Sequence, residues 1–167
     1  MLHNKNNDKG FSMIELIVTI AIMGIVTVSA IGIYSWIASS RFKEACNNVT
    51  DSMAYARTEQ LSKAGSWTVE IKLDSDNRYI SKVSDSSGSH ERKVKNSKSG
   101  VKISAVRKDD GSLIELNSGS IEMEYNSNGS FKKASINGTD IKGIKVEYSR
   151  YSKTIKLALD TGKFFTD

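Results

Sequence analysis

Residues 10–38 read GFSMIELIVTIAIMGIVTVSAIGIYSWIA, an apolar stretch with one charged side chain, Glu15, close to its start. Residues 16–38 are long enough to cross a hydrocarbon core of about 30 Å as a single helix, for which roughly 20 apolar residues suffice. A carboxylate inside such a span is costly to desolvate, so it calls for a partner, and the natural partner is an amine.

The ten residues ahead of the span, MLHNKNNDKG, hold Lys5 and Lys9 but no apolar stretch. They lack the hydrophobic region that a secretory signal peptide places before its cleavage site. A polar leader, Gly10, Phe11, three further residues, Glu15 and an apolar helix together resemble the amino terminus of type IV pilins and pseudopilins. The matching residues are Gly10-Phe11-Ser12-Met13-Ile14-Glu15. The resemblance implies that a membrane aspartyl peptidase, the prepilin peptidase, cuts between Gly10 and Phe11 and methylates the new amine on Phe11. It also implies that Glu15 meets the terminal amine of a neighbouring subunit during assembly. Physical chemistry agrees with that role, because a charge pair in low dielectric penalises any stagger that leaves either charge alone. Taken without its neighbours, Glu15 reads equally well as an interfacial residue whose carboxylate reaches water.

Lys5 and Lys9 precede the span and Arg41 and Lys43 follow it, so flanking charge orients it only weakly. The resemblance implies a cytoplasmic leader and an exported remainder: a single-pass precursor in the cytoplasmic membrane, later a cell-surface or periplasmic filament. Losing Lys5, Asp8 and Lys9 would lower the formal charge from +5 to +4, so the basic excess belongs to the exported part. The expected division is a leader over 1–10, a membrane and assembly half of the helix over 11–38, and a head over 39–167.

About 129 residues follow the span, enough for one domain with a modest core. With 26% charged and 38% hydrophobic residues they describe a folded domain. Cys46 is the single cysteine, which excludes an internal disulfide framework; it could pair between subunits, but a free thiol on a helix face is the commoner outcome. Over 39–63 the residues Phe42, Cys46, Val49, Met53, Ala56 and Gln60 recur at helical spacing, with most charges off that stripe. One helix is therefore predicted over 11–64, roughly 80 Å long at 1.5 Å per residue, capped by Gly65 with Lys63 in its last turn. Gly24 and Gly32 are its weak points, or sites of close helix packing in lipid.

Beyond Gly65 the pattern changes to alternation. WTVEIKL at 67–73 puts Trp67, Val69, Ile71 and Leu73 on one face, and DSDN at 74–77 turns the chain into a strand over 79–83. Further strands are predicted over 101–106, 113–116, 121–125, 144–148 and 154–159, separated by Asp110-Gly111, Asn128-Gly129 and Thr161-Gly162. Residues 84–100, polar, serine-rich and basic, read as a long mobile loop or a ragged edge strand. The predicted class is α+β: a long amino-terminal helix packed on a mainly antiparallel sheet. The order of Ala54-Tyr55-Ala56-Arg57-Thr58-Glu59, Trp67-Thr68-Val69, the hairpin over 121–129 and the strand over 155–163 resembles that of H-type minor pseudopilins.

Catalysis finds no support. His3 lies in the leader and His90 in the basic stretch, without ligands or relay partners at useful spacing, so neither metal nor cofactor is expected. The DSDN segment lacks the glycine and distal glutamate of a calcium loop. Arg92, Lys93, Lys95 and Lys98 form a basic run that could contact DNA phosphates, with Tyr148, Arg150 and Tyr151 as candidates for base stacking. Interspersed acids favour a solvated surface instead. The expectation is a non-enzymatic minor subunit of a type IV pilus, competence pilus or type II secretion pseudopilus. Its partners would be prepilin peptidase, other subunits and the membrane. The alternatives are a DNA-binding minor pilin in DNA uptake, and an uncleaved membrane anchor carrying an extracellular β domain.

Overall fold

The computed structural model describes residues 11–63, 65–88, 90–96 and 100–166, without the side chains of 29–32 and 95. The expected leader with Gly10, the helix end at Ala64 and the basic residue Lys98 lie outside the described residues. Two compact units result, Met1–Ile37 and Ala38–Asp167.

Helix α1 (Met13–Ser62) contributes to both. In the first unit it is exposed over every described face, with Ile14, Ile17, Ile20, Met23 and Ile25 each more than half exposed. This is the one helix long and apolar enough to cross a membrane among the described residues. Gly24 and Gly32 both lie inside it, and no atom beyond its own helix approaches Gly24.

In the second unit α1 lays the predicted stripe on a curled antiparallel sheet. Cys46, Val49, Met53, Ala56 and Gln60 are buried and Phe42 packs partly buried beside them. The strands are β1 (Trp67–Leu73), β2 (Tyr79–Asp85), β3 (Glu91–Lys95), β4 (Lys102–Arg107), β5 (Leu113–Glu115), β6 (Ser120–Tyr125), β7 (Phe131–Ile136), β8 (Thr139–Tyr148), β9 (Tyr151–Ala158) and β10 (Lys163–Thr166). Five of them pair in the order β3-β2-β1-β6-β7, and the other five in the order β5-β4-β8-β9-β10. The two halves join where β7 pairs with β8 at only Ser135↔Asp140 and Ile136↔Thr139. The joining turn is Asn137-Gly138, both at positive φ (48° and 83°), the geometry that lets a two-residue hairpin follow the strand twist.

The helix starts later and ends earlier than predicted, at Met13 and Ser62. Gly65 is not its immediate cap and Lys63 falls just outside the last turn. Instead the Gln60 side chain closes this end: its Nε2 donates to the Gly65 carbonyl (2.8 Å) and its Oε1 accepts from the Trp67 backbone N–H (2.8 Å). Lys63 folds back onto Glu59 at 2.6 Å. The loop reading of 84–100 is also corrected. β2 runs on to Asp85 and β3 pairs with it from Ser84↔Glu91 to Ile80↔Lys95, so residues 91–95 of this stretch form an edge strand, as its alternative reading had it.

Three separate segments meet at Arg57. Its Nε donates to the Gly129 carbonyl (3.2 Å) and its guanidinium NH2 to the Thr161 carbonyl (3.3 Å), tying α1 to the β6–β7 and β9–β10 turns. Those turns touch so closely that a Cβ on Gly162, at φ 65°, would lie 1.7 Å from the Gly129 oxygen. The Tyr125 hydroxyl donates to the Met53 carbonyl (3.1 Å) from the centre of the core.

Candidate processing and assembly site

The first described residue is Phe11, 79% exposed, and Ser12 stands immediately before the first helical residue, Met13. The first N–H groups of any helix lack intrahelical acceptors. Here the Ser12 Oγ accepts from the Ile14 N–H (3.3 Å) while Glu15 Oε2 accepts from the Ser12 N–H (3.4 Å). This is half of a capping box: Glu15 reaches back to the cap N–H as the motif requires, while Ser12 at the cap takes the N–H two residues on rather than that of Glu15. The Ser12 carbonyl accepts the first backbone bond, from the Leu16 N–H at 3.2 Å. Sequence reasoning had named Glu15 but passed over Ser12. The signal was present as Ser-x-x-Glu immediately before an apolar run.

The geometry gives Glu15 a place before any partner arrives. Its carboxylate is turned toward the helix amino terminus, where the positive end of the helix dipole favours a negative charge. Phe11, whose amine a cut after Gly10 would expose, is the residue just before the cap. Glu15 is the sole carboxylate of residues 11–37.

A family model for the prokaryotic N-terminal methylation motif matches residues 5–31. The chain carries a type IV pilin-like prepilin signature. The match takes in Gly10, Phe11, Ser12 and Glu15 together with much of the exposed apolar helix, and stops short of the second unit. The motif and the apolar helix that follows it support a pilin-like precursor with a membrane anchor, and point to a structural role. Comparison with curated proteins and with solved structures yields no match. The resemblance of the second unit to H-type minor pseudopilins, expected from the order of its motifs, is not among these matches.

Arg92, Lys93 and Lys95 of the basic run lie on edge strand β3, and the described charges of Arg92 and Lys93 face a ring and a carboxylate. Lys93 and, from β2, Lys82 both meet Glu91, at 3.1 and 3.2 Å, and they hold its carboxyl below the usual glutamate range, Lys93 first. The Arg92 guanidinium lies over the Tyr55 ring at 4.9 Å. The Lys95 side chain, like Lys98, is outside the described residues. Lys132 and Lys133 pair with Glu124 and Glu122 at 2.7 and 3.4 Å. Tyr148 and Tyr151, read as candidates for stacking on bases, turn toward the helix: Tyr148 accepts from Arg41 (2.9 Å) and Tyr151 stacks on Phe42 with centroids 5.6 Å apart. A lysine-bearing edge strand has a structural purpose of its own, since unpaired edges invite strand-to-strand aggregation that charge suppresses.

His90 sits beside Asp85, Nδ1 to Oδ2 3.3 Å. The Ser87 hydroxyl, donating at 2.6 Å, is the main reason that the Asp85 carboxyl is held down at about 2, with His90 adding to it. No group of three or more His, Cys, Asp or Glu side chains placed to hold a metal occurs among the described residues. Cys46 is a free, buried thiol, pushed up by burial and partly relieved by Lys153.

Proposed function

We propose that this protein is a structural subunit, of minor type, of a type IV pilus, competence pilus or type II secretion pseudopilus. Prepilin peptidase removes residues 1–10 by cutting after Gly10, methylates the Phe11 amine, and the mature subunit enters a filament through its apolar helix. Glu15 pairs with the amine of a neighbour, setting stagger more than strength. The match to the methylation motif over residues 5–31 carries this reading. The exposed apolar side chains of the first half of α1 support it, because such a surface needs lipid or neighbouring helices to cover it. On this reading the filament lies at the cell surface or in the periplasm, and the unit from Ala38 onward is its head.

Intact mass and amino-terminal sequencing of the protein from its own cells test the reading. A chain beginning at methylated Phe11, with a Gly10→Val variant left full length, is the expected result. A wild-type chain still starting at Met1 would overturn it and leave an uncleaved membrane anchor.

A further inference from the structure

Among the described residues the sheet ends in three strands paired on one side only, β3, β5 and β10. Such an edge presents a row of unpaired N–H and C=O groups, which charge or brevity normally protects. β3 carries charge at Glu91, Arg92, Lys93 and Lys95, and β5 is three residues long. β10, KFFT, has one charge followed by two aromatics and a β-branched residue, a composition that favours pairing. Its Phe164, Phe165 and Thr166 pair with Leu157, Lys156 and Ile155 of β9 and with no other described strand.

This edge opens on a groove. A cavity of about 270 Å³ lies between α1 and β10, with Ala54, Arg57 and Thr58 on the helix side and residues 162–165 on the strand side. Phe164 stands opposite Leu157 of the core, and Phe165, next in the chain, points to the other face. A hollow lined by both side chains therefore follows the edge of the strand, not one of its faces. Its helix wall is low, since Ala54 and Thr58 are small. Leu61, three residues after Thr58, and Phe165 are 53% and 57% exposed, two of the three large apolar side chains that the described part of this unit exposes. Arg57 and Lys163 line the groove, and no described carboxylate does. Arg57 spends its bonds on the Gly129 and Thr161 carbonyls, and neither cation forms an ion pair with a described residue.

Backbone groups in a row call for another extended backbone, which a lipid surface does not offer. A second copy would bring its own Lys163 into a groove that already holds two positive charges, which disfavours it. We propose that β10 takes up an extended segment of a partner protein as an added strand, with an apolar side chain over Ala54 and an acidic one facing Arg57 and Lys163. Main-chain bonds to the edge supply affinity and the alternate side chains supply specificity. The added strand extends the subunit reading by naming a kind of partner, yet it needs no cut after Gly10, so the two tests fail separately.

The test uses the full chain held in nanodiscs of neutral lipid and a displayed library of random short peptides. Enriched peptides should alternate apolar with polar residues and include Asp or Glu. A fluorescent copy of the strongest should slow amide exchange within residues 164–166. Two further copies, methylated at alternate backbone nitrogens, distinguish strand addition from side-chain contact alone. The copy that loses the N–H groups facing β10 should bind about tenfold or more weakly, while the other keeps its affinity. Ala54→Gln, which fills the groove, and Lys163→Glu, which reverses its charge, should each weaken binding by a similar factor. Both positions are exposed, and an unchanged urea midpoint shows that each variant folds. The proposal is overturned if no common pattern is enriched, if both methylated copies bind like the unmodified peptide, or if both variants bind like wild type. It is equally overturned if the peptide protects a different strand, or if the groove instead drives self-association of the heads.

Discussion

The two parts of α1 are the same secondary structure with opposite needs. Up to Ile37 the helix is apolar on every described face and nothing in its own unit covers it; from Ala38 it is amphipathic, and its buried positions Ala45, Cys46, Val49, Ser52, Met53, Ala56 and Gln60 follow one stripe. Helical propensity does not distinguish them. Tertiary packing stabilises the second part and must be replaced by lipid or other helices in the first. A single carboxylate is tolerated in the apolar part because it sits in the first turn, where Ser12 and the helix dipole receive it.

That contrast can be broken most forcefully at Met53, fully buried and touching the sheet. Met53→Ala should cost about 2–5 kcal/mol in a urea titration of the detergent-solubilised chain, while Ile17→Ala, at a position 61% exposed, should stay within about 0.5 kcal/mol. Equal losses at both positions would show that the first part also packs within the subunit. A smaller effect is expected at the Arg57 junction. Arg57→Met removes both bonds to turn carbonyls and should cost about 1–3 kcal/mol, with faster amide exchange at Gly162. Smaller again, Ser12→Ala should destabilise the helix start by about 1 kcal/mol. Its readout is faster exchange of the Ile14 and Leu16 amides with the urea midpoint of the head unchanged.

The smallest effect concerns pH. Asp85 has its folded pKa depressed, so its contribution is fully present above the ordinary carboxylate range and is lost as pH falls through about 2. An NMR titration of its carboxyl carbon should give a midpoint of about 2, and Ser87→Ala should move that midpoint upward, since the serine is the largest cause. As Asp85 lies at the surface, the global melting temperature should hardly respond.

Much of the second unit was legible where local pattern and burial agree. β1 has the predicted bounds because strict alternation sets Trp67, Val69 and Ile71 against the core, and the stripe on α1 is buried as read. The strands that escaped notice, or in the case of β3 stood only as the alternative to a loop, have physical reasons for it. In β7, FKKASI, a bulge shifts the register between Glu124 and Tyr125, and Lys132 and Lys133 stand together outside the core, so alternation is lost. β3, ERKVK, opens with three consecutive charged residues, which hides its alternation, and β10 is only four residues long. At the candidate site Glu15 stood out by its cost in an apolar span, whereas Ser12 matters only through hydrogen bonds to its near neighbours.

By itself the sequence determined the features that depend on near neighbours. These are the membrane-length span, written in its length and apolar composition, the Gly10-Phe11 and Glu15 spacing, and the amphipathic stripe and α+β class, written in periodicities of 3.6 and two residues. Only the tertiary structure decided the rest: the curl that joins the two five-stranded halves at β7 and β8, the meeting of Arg57 with turns 72 and 104 residues away, and the groove between α1 and the edge of β10. Those depend on which strands pair and in what register, and pairing is settled by the whole core closing at once rather than by any local run of residues.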